Sequence, residues 1–398
     1  MPAPMPHAAR AWSTLALGVG AQTAGTVFVS APAFLIPLLH TERGLTLAEA
    51  GLLASTPTIG MVLTLIAWGA LADRVGERWV IAGGLALTAV ATVGAIAADG
   101  YVALGVFFLL GGMASASTNA ASGRVVVGWF PKERRGLAMG IRQTCQPLGV
   151  TIAAVTIPPI AAASGVGAAL VLPLVLTAVF ALACAVGIRN PPRTTTGADA
   201  APRSRLNPYR SGSFLWRIHA VSVLLVVPQF TLSVFGLVWL VTELRWSPLA
   251  AGVLVGVSQC VGAASRIAVG ILSDRLGSRV RPLRWVAVGA GVSLAALAAF
   301  DAAGWGAAAV VFVIATTATV VDNGLAFTSV AEMAGPAWAG RALGAQNTGQ
   351  FLVASAVGPV VGALIGLVGY PLAFAATALL PAVAVPIIPR ADAEHDRL

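Results

Sequence analysis

The ten-residue stretch GALADRVGER, residues 69–78, decides the fold of this chain. It lies between two long apolar runs, yet it holds four charged residues and the helix-breaking Gly76. Charged side chains are costly inside a bilayer, and glycine favours turns. The stretch therefore predicts a short polar turn that joins two membrane-spanning helices.

The composition supports a membrane protein. Hydrophobic residues make up 58% of the chain, charged residues only 10%, and the mean hydropathy is +0.87. A soluble domain has about a quarter of its residues charged. The net charge of +9 is typical of the arginine that membrane proteins collect in cytoplasmic loops. We therefore predict the lipid bilayer as the environment and no nucleic-acid partner.

Twelve apolar runs are long enough to cross a hydrocarbon core, which takes about 20 residues. The first six predicted spans lie near residues 12–38, 50–72, 79–98, 101–128, 137–163 and 167–188. The second six lie near residues 214–241, 248–272, 284–300, 304–331, 342–368 and 370–388. The fold class is therefore an all-α membrane protein. We predict an N-terminal six-helix bundle over 1–188, a cytoplasmic linker over 189–213 and a C-terminal six-helix bundle over 214–398.

The basic residues lie mostly in alternate loops, which predicts the orientation. They follow spans 2, 4, 6 and 8: Arg74, Arg78, Lys132, Arg134, Arg135, Arg189, Arg193, Arg203, Arg205, Arg210, Arg275, Arg279 and Arg281. Loops rich in Lys and Arg stay in the cytoplasm. Both termini and the linker should therefore be cytoplasmic, in the inner membrane of a bacterium.

The polar turn of residues 69–78 has a second copy in the chain. GILSDRLGSR at residues 270–279 repeats it at an offset of 201. ALGAQNTGQ at 342–350 echoes AMGIRQTCQ at 138–146 at an offset of 204. Two echoes at nearly one offset indicate a duplicated six-helix unit.

These features together resemble the major facilitator superfamily (MFS) of transporters. The resemblance implies twelve helices in two bundles related by a pseudo-twofold axis around a central cavity. It also implies that the polar turn and its copy latch the cytoplasmic side. Gly69 and Gly76 would allow close helix approach and a tight turn, and Arg124 would be a partner for Asp73. The gating residues implied are Gly69, Asp73, Arg74, Gly76, Arg78, Arg124, Gly270, Asp274, Arg275 and Gly277.

Apart from charges near the ends of the predicted spans, three charged residues lie inside them, and such residues are functional candidates. Arg142 and Arg266 lie at similar depth, about 10 Å from the cytoplasmic boundary at 1.5 Å per residue. The resemblance makes their helices neighbours, so both cations would face the cavity. Asp322 is the third charge. The predicted substrate-binding side chains are the two arginines with Asn and Gln residues: Gln22, Asn119, Gln143, Gln146, Gln229, Gln259, Asn323, Gln346, Asn347 and Gln350.

A finer resemblance favours an anionic substrate. SRIAVGILSDRLG is similar to helix 8 of the nitrate/nitrite porters, and oxalate/formate-type exchangers also use a helix 8 arginine for anions. Helix 2 here lacks the second arginine of the nitrate porters, so the size of the anion stays open. Two interpretations of Asp322 also stay open. It pairs with Arg266, or it carries a proton as a carboxylate tuned by burial.

The competing function is drug/proton antiport by the same fold. Against it, the first half has no intramembrane carboxylate besides Asp73, and the helix 4 arginine motif of those antiporters is absent. The sequence contains no motif that would support an enzyme, a receptor or a primary pump. We predict no cofactor, no metal site and a monomer. His219, near the start of span 7, is predicted to be interfacial.

Overall fold

The computed structural model describes residues 8–130, 138, 141–142, 144–190, 207–210 and 212–392. Within these ranges the side chains of residues 8, 73, 123–128, 335–337 and 339–340 are not described. Every regular element in this part of the chain is a helix, which confirms the all-α prediction.

Ten helices make up the described fold. They are α1 (Ala8–Thr41), α2 (Leu47–Val75), α3 (Glu77–Ile96), α4 (Tyr101–Trp129), α5 (Cys145–Gly187), α6 (Phe214–Thr242), α7 (Pro248–Leu276), α8 (Val280–Ala302), α9 (Ala308–Val320) and α10 (Asp322–Ile387).

The outward faces of these helices are apolar. Ile66, Val186 and Leu367 are 77%, 81% and 82% exposed, as large side chains are when they meet acyl chains rather than water. Ten segments of the described chain are long and apolar enough to cross a membrane. In lipid a helix satisfies all of its backbone groups internally, which explains why these apolar runs fold this way.

Two of the ten segments are long enough for two crossings each. They contain 43 and 47 residues, or roughly 65–70 Å of helix at 1.5 Å per residue. Gly165 interrupts the first with φ 81°, and Gly369 interrupts the second with φ 80°. Both glycines lie where the sequence predicts that one span ends and the next begins. The count of twelve spans stays a prediction, because the described chain contains ten.

The chain divides into two compact units. Unit 1 is Met1–Arg43 with Leu53–Thr195, and unit 2 is Gly44–Leu52 with Thr196–Leu398. In unit 1, α1 packs on α4 and α5, and α3 packs on the same two helices. In unit 2, α10 packs on α6 and α8, while α9 contacts α6, α7 and α8.

Small residues bring α2 and α4 close together inside unit 1. A Cβ added at Gly60 would lie 2.2 Å from the Leu109 carbonyl oxygen, and one at Gly112 would lie 2.1 Å from that of Pro57. Membrane helices approach this closely only across small residues. The contact fixes α4, which carries the polar residues described next.

Candidate functional site

A closed network of polar side chains surrounds Arg142 in unit 1. The Arg142 Nε donates to Ser122 Oγ at 2.9 Å, and Nη2 reaches the Asn119 carbonyl at 3.5 Å. Ser122 Oγ donates to Gln22 Oε1 at 2.9 Å, and Gln22 Nε2 donates to Asn119 Oδ1 at 2.7 Å. The structure therefore brings together three of the predicted residues, Arg142, Asn119 and Gln22.

The sequence reasoning missed Ser122, which joins this network. Ser122 is 3% exposed and lies three residues after Asn119 on α4. Residues three apart share a helix face, and that spacing was the available signal. Gln22 is 6% exposed with both ends of its amide bonded, so it orients its neighbours rather than offering its own groups.

Two predicted residues of this segment do not join the network. Gln146 is exposed, and no hydrogen bond to a described residue places it in the network. Gln143 lies outside the described residues.

In unit 2, Arg266 is held at a helix break. Its Nε donates to the Val320 carbonyl at 2.9 Å. Val320 ends α9 and Asp322 begins α10, so this carbonyl belongs to the group that a helix end leaves without an intrahelical partner. Among the described residues, the terminal nitrogens of Arg266 form no hydrogen bond.

Asp322 lies beside Arg266 but forms no ion pair with it among the described residues. The carboxylate is within electrostatic range of the guanidinium. Asp322 is 2% exposed, and no described atom forms a hydrogen bond with its Oδ1. The pairing of Arg266 with Asp322 that the sequence left open is therefore not observed as a direct contact.

A chain of three amides lies next to Asp322. Asn323 Nδ2 donates to Gln229 Oε1 at 3.0 Å, and Gln350 Nε2 donates to Asn323 Oδ1 at 3.0 Å. Three predicted residues from α6 and α10 thus contact one another. Gln259 and Asn347 are half-buried and, in the described part of the chain, join neither these amides nor Arg266.

Gln346 is predicted to bind substrate, but its side chain forms hydrogen bonds with other residues of unit 2. Its Oε1 is 2.9 Å from His219 Nδ1, and its Nε2 donates to Ser222 Oγ at 3.0 Å. His219 Nε2 is 2.9 Å from the hydroxyl of Tyr209, whose pKa is raised by burial. His219 is therefore half-buried in a polar chain, and its prediction as an interfacial residue stays a prediction.

Both copies of the polar turn contain a glycine at positive φ. Gly76 has φ 89° and Gly277 has φ 59°, so the predicted tight turn is confirmed at Gly76. A Cβ at Gly76 would also lie 2.4 Å from Asn190. At Gly69 and Gly270 a Cβ would meet no described atom within 4 Å. No described contact accounts for Gly69, so close helix approach at this position stays a prediction.

The two units cap the helix after this turn in the same way. In unit 1, the Arg78 amide donates to Asn190 Oδ1 at 3.0 Å. In unit 2, the Arg279 and Val280 amides donate to Asp392 Oδ1 at 2.7 and 3.0 Å. Asn190 and Asp392 are 202 positions apart. The repeat inferred from the turn therefore extends to the residues that follow the last helix of each unit.

The acidic residue of the second turn takes part in an ion network. Asp274 and Glu332 both bind Arg279, Glu332 through Nη2 at 3.1 Å. Partial burial lowers the pKa of Arg279, but hydrogen bonds to Glu332 and Asp274 outweigh it and raise the pKa overall. Arg275 is exposed.

In the first turn, Arg74 is exposed and Arg78 Nε donates to the Ala185 carbonyl at 2.6 Å. The side chains of Asp73 and Arg124 lie outside the described residues, so their contact stays a prediction. No group of three His, Cys, Asp or Glu that could hold a metal occurs in the described part of the chain.

Comparison with known proteins identifies the class. Residues 17–356 match the family profile of the Major Facilitator Superfamily. An uncharacterized MFS-type transporter of Mycobacterium tuberculosis strain H37Rv is 47% identical over 378 residues, covering 95% of this chain and 84% of that protein. The hexuronate transporter of Bacillus subtilis strain 168 is 22% identical over 253 residues, covering 62% of this chain and 60% of that protein.

Solved structures show the same fold. A D-xylose-proton symporter superposes with a TM-score of 0.80 at 15% identity, covering 96% of this chain and 98% of that one. A bacterial homolog of the human lysosomal transporter Spinster gives 0.77 at 16% identity, covering 97% of both chains. This is therefore a multi-pass membrane transporter of small molecules. The chain belongs to the Major Facilitator Superfamily, whose members are secondary transporters.

Proposed function

We propose that the protein transports a small organic or inorganic anion by alternating access. The observation that carries this proposal is the hydrogen bonding of the Arg266 guanidinium. Its Nε is fixed by the Val320 carbonyl, and its terminal nitrogens form no hydrogen bond with a described residue. A guanidinium held in one plane suits a carboxylate or another oxyanion, which it can bind through two parallel hydrogen bonds.

Arg142 is also held through its Nε in unit 1. That nitrogen is bound to a neutral oxygen, that of Ser122, and the amides of Asn119 and Gln22 belong to the same network. Amide N–H groups can donate to the hydroxyls or carboxylate oxygens of a substrate. The distant similarity to a hexuronate transporter agrees with an organic acid that carries hydroxyls.

Asp322 is the proposed carrier of a coupled proton. It is buried, and no described atom contacts its Oδ1 through a hydrogen bond. The next residue, Asn323, belongs to the amide chain. A buried carboxylate beside an arginine can change its protonation when the arginine binds an anion. If Asp322 carries the proton, no other titratable group in the described part of unit 2 is needed for proton-coupled anion transport.

The remaining predictions complete the proposal. The protein would act as a monomer in the inner membrane of a bacterium, with both termini and the 189–213 linker in the cytoplasm. Its bundles would cover residues 1–188 and 214–398. The turns at 69–78 and 270–279 would act as the cytoplasmic latch, with Asp73 more important than Asp274.

A ligand screen on purified protein tests the anion site. Melting temperatures are measured with nitrate, oxalate, a hexuronate and several lipophilic cations, because a bound ligand raises the melting temperature. The variants are Arg142→Gln and Arg266→Gln. The control is Arg281→Gln, since Arg281 is exposed and, among the described contacts, only its main chain takes part in a hydrogen bond.

We expect at least one anion to stabilise the wild type and the control, and to have little effect on the other two variants. If only lipophilic cations stabilise the protein, the proposal fails and drug/proton antiport takes its place. Equal stabilisation of all four proteins by an anion would also exclude the two arginines as its ligands.

A further inference from the structure

Unit 2 has a second cluster of polar residues, far along the helices from Arg266. It lies where α6 and α8 end and where α10 resumes after Gly369. Trp239 Nε1 donates to Asp301 Oδ1 at 2.9 Å, which joins α6 to α8. The Trp239 ring contacts Phe374 at 5.8 Å between centroids, and Phe374 contacts Tyr370 at 5.9 Å. Three segments of the unit thus meet at this point.

Two buried oxygen atoms of this cluster have no hydrogen-bond partner in the described part of the chain. They are Asp301 Oδ2 and the hydroxyl of Tyr370, a residue that is only 5% exposed. Thr242 lies beside Tyr370, but it forms no hydrogen bond with the Tyr370 hydroxyl, and its own hydroxyl donates to the Val238 carbonyl at 2.8 Å. Buried polar atoms almost always have a partner, so the two oxygens indicate a missing ligand.

The electrostatics of the cluster identify the charge of that ligand. Asp301 lies in the last turn of α8, and Glu243 caps the C-terminus of α6. Neither helix has a basic residue in its last turn. Helix C-termini carry a partial negative charge and favour cations. Tyr370 lies within electrostatic range of both carboxylates, and neither carboxylate forms an ion pair with a described residue.

We propose that this cluster binds a monovalent alkali cation such as Na⁺, with Asp301 Oδ2 and the Tyr370 oxygen as ligands. Glu243 and the two helix ends add negative potential. Hard cations take oxygen ligands of this kind. With one partly buried and one exposed carboxylate, the cluster has too few anionic ligands for a tightly held divalent ion.

The geometry disfavours the two simpler occupants. A proton on Asp301 Oδ2 would need an acceptor, and no described atom forms a hydrogen bond with that oxygen. A water molecule could bridge the two oxygens, because waters satisfy buried polar groups. It would leave the negative charge of the partly buried Asp301 and of the two helix ends without compensation.

The internal repeat supplies a matched control. Glu42 and Asp99 of unit 1 precede Glu243 and Asp301 by 201 and 202 positions. The Glu42 amide donates to the Leu38 carbonyl at 2.9 Å, as the Glu243 amide donates to that of Trp239 at 2.9 Å. Glu42 is exposed as Glu243 is, but Asp99 is exposed whereas Asp301 is partly buried. Water can therefore solvate Asp99, and unit 1 should have no such site.

The test compares melting temperatures in NaCl and in choline chloride at equal ionic strength and fixed pH. The proteins are the wild type, Asp301→Asn, Tyr370→Phe and the control Asp99→Asn. Asparagine keeps the acceptor for Trp239, so Asp301→Asn should still fold. Sodium-23 relaxation on the wild type gives a second readout that does not depend on any variant.

We expect Na⁺ to raise the melting temperature of the wild type and of Asp99→Asn. It should have little effect on Asp301→Asn and a reduced effect on Tyr370→Phe. If Na⁺ and choline give the same melting temperature for the wild type, or if Asp301→Asn responds as the wild type does, the cation site is refuted. The anion proposal is unaffected by either result, since it is tested with other variants.

Discussion

Ser122 controls the orientation of Arg142. Its hydroxyl accepts a hydrogen bond from Arg142 Nε and donates one to Gln22. The guanidinium is therefore bound at Nε by a neutral residue. This arrangement makes Ser122 a positioning residue for the proposed anion site.

Replacing Ser122 should weaken anion binding without removing a charge. A hydrogen bond to a charged group contributes about 1.5–3 kcal/mol, so we expect Ser122→Ala to raise the dissociation constant about tenfold or more. The control is Ser117→Ala on the same helix, because the buried Ser117 hydroxyl has no partner among the described residues. Isothermal titration with the anion found in the screen measures both. Equal affinities of the two variants would show that Ser122 does not position Arg142.

A variant of Asp322 tests proton coupling separately from substrate binding. An asparagine at this position would be nearly the same size but could not carry a proton, so Asp322→Asn should abolish uptake driven by a pH gradient. Exchange of labelled for unlabelled substrate across the membrane needs no net proton movement and should persist. Proteoliposomes report both activities. Uptake that still follows the pH gradient in Asp322→Asn would contradict the proposed proton carrier.

At the scale of the elements, the two glycines of the first polar turn have different roles. Gly76 has φ 89° and ψ 163°, a region that other residues rarely adopt, and it lies against Asn190. Backbone strain of this kind costs about 1–3 kcal/mol. Gly69 lies inside α2, and a Cβ there would meet no described atom.

We therefore expect Gly76→Ala to lower the melting temperature and Gly69→Ala to leave it unchanged or raise it slightly. Alanine is favoured over glycine inside a helix by about 1 kcal/mol. Thermal unfolding of the two variants in the same detergent compares them directly. Equal destabilisation would mean that strain at Gly76 is not what distinguishes the two positions.

The sequence predicts the helices well because apolar runs of this length have few alternatives in lipid. It also places the boundaries at Gly165 and Gly369, since glycine ends helices. It does not show the break at Val321, because no glycine or proline occupies that position. At this break Arg266 Nε binds the carbonyl of Val320, a contact from another helix that a single sequence does not show.

The candidate site was predictable in part. Intramembrane arginines and amides stand out in an apolar chain, so Arg142, Arg266 and Asn119 were found by composition alone. Ser122 and His219 were not recognised, because serine is common in membrane helices and a histidine near a span end usually faces the interface. Their partners come from other helices, and a single sequence does not show which helices meet.

At the scale of the whole molecule, duplication explains both the shared features and the differences. The two units share the turn glycines and the caps at Asn190 and Asp392. They differ in the acidic residues near their helix ends. In unit 1, Glu42 and Asp99 are both exposed. In unit 2, Glu243 is exposed but Asp301 is partly buried. Each unit also holds an intramembrane arginine through its Nε. That common feature is the physical basis of the proposed anion transport.

The most direct test of anion transport is the current that follows a rapid substrate jump over proteoliposomes on a solid support. We predict that at least one small anion produces a transient current with the wild type and with Arg281→Gln. The current should be lost in Arg266→Gln and strongly reduced in Arg266→Lys, because lysine cannot form two parallel hydrogen bonds. Currents evoked only by lipophilic cations, or anion currents that persist in Arg266→Gln, would contradict the account.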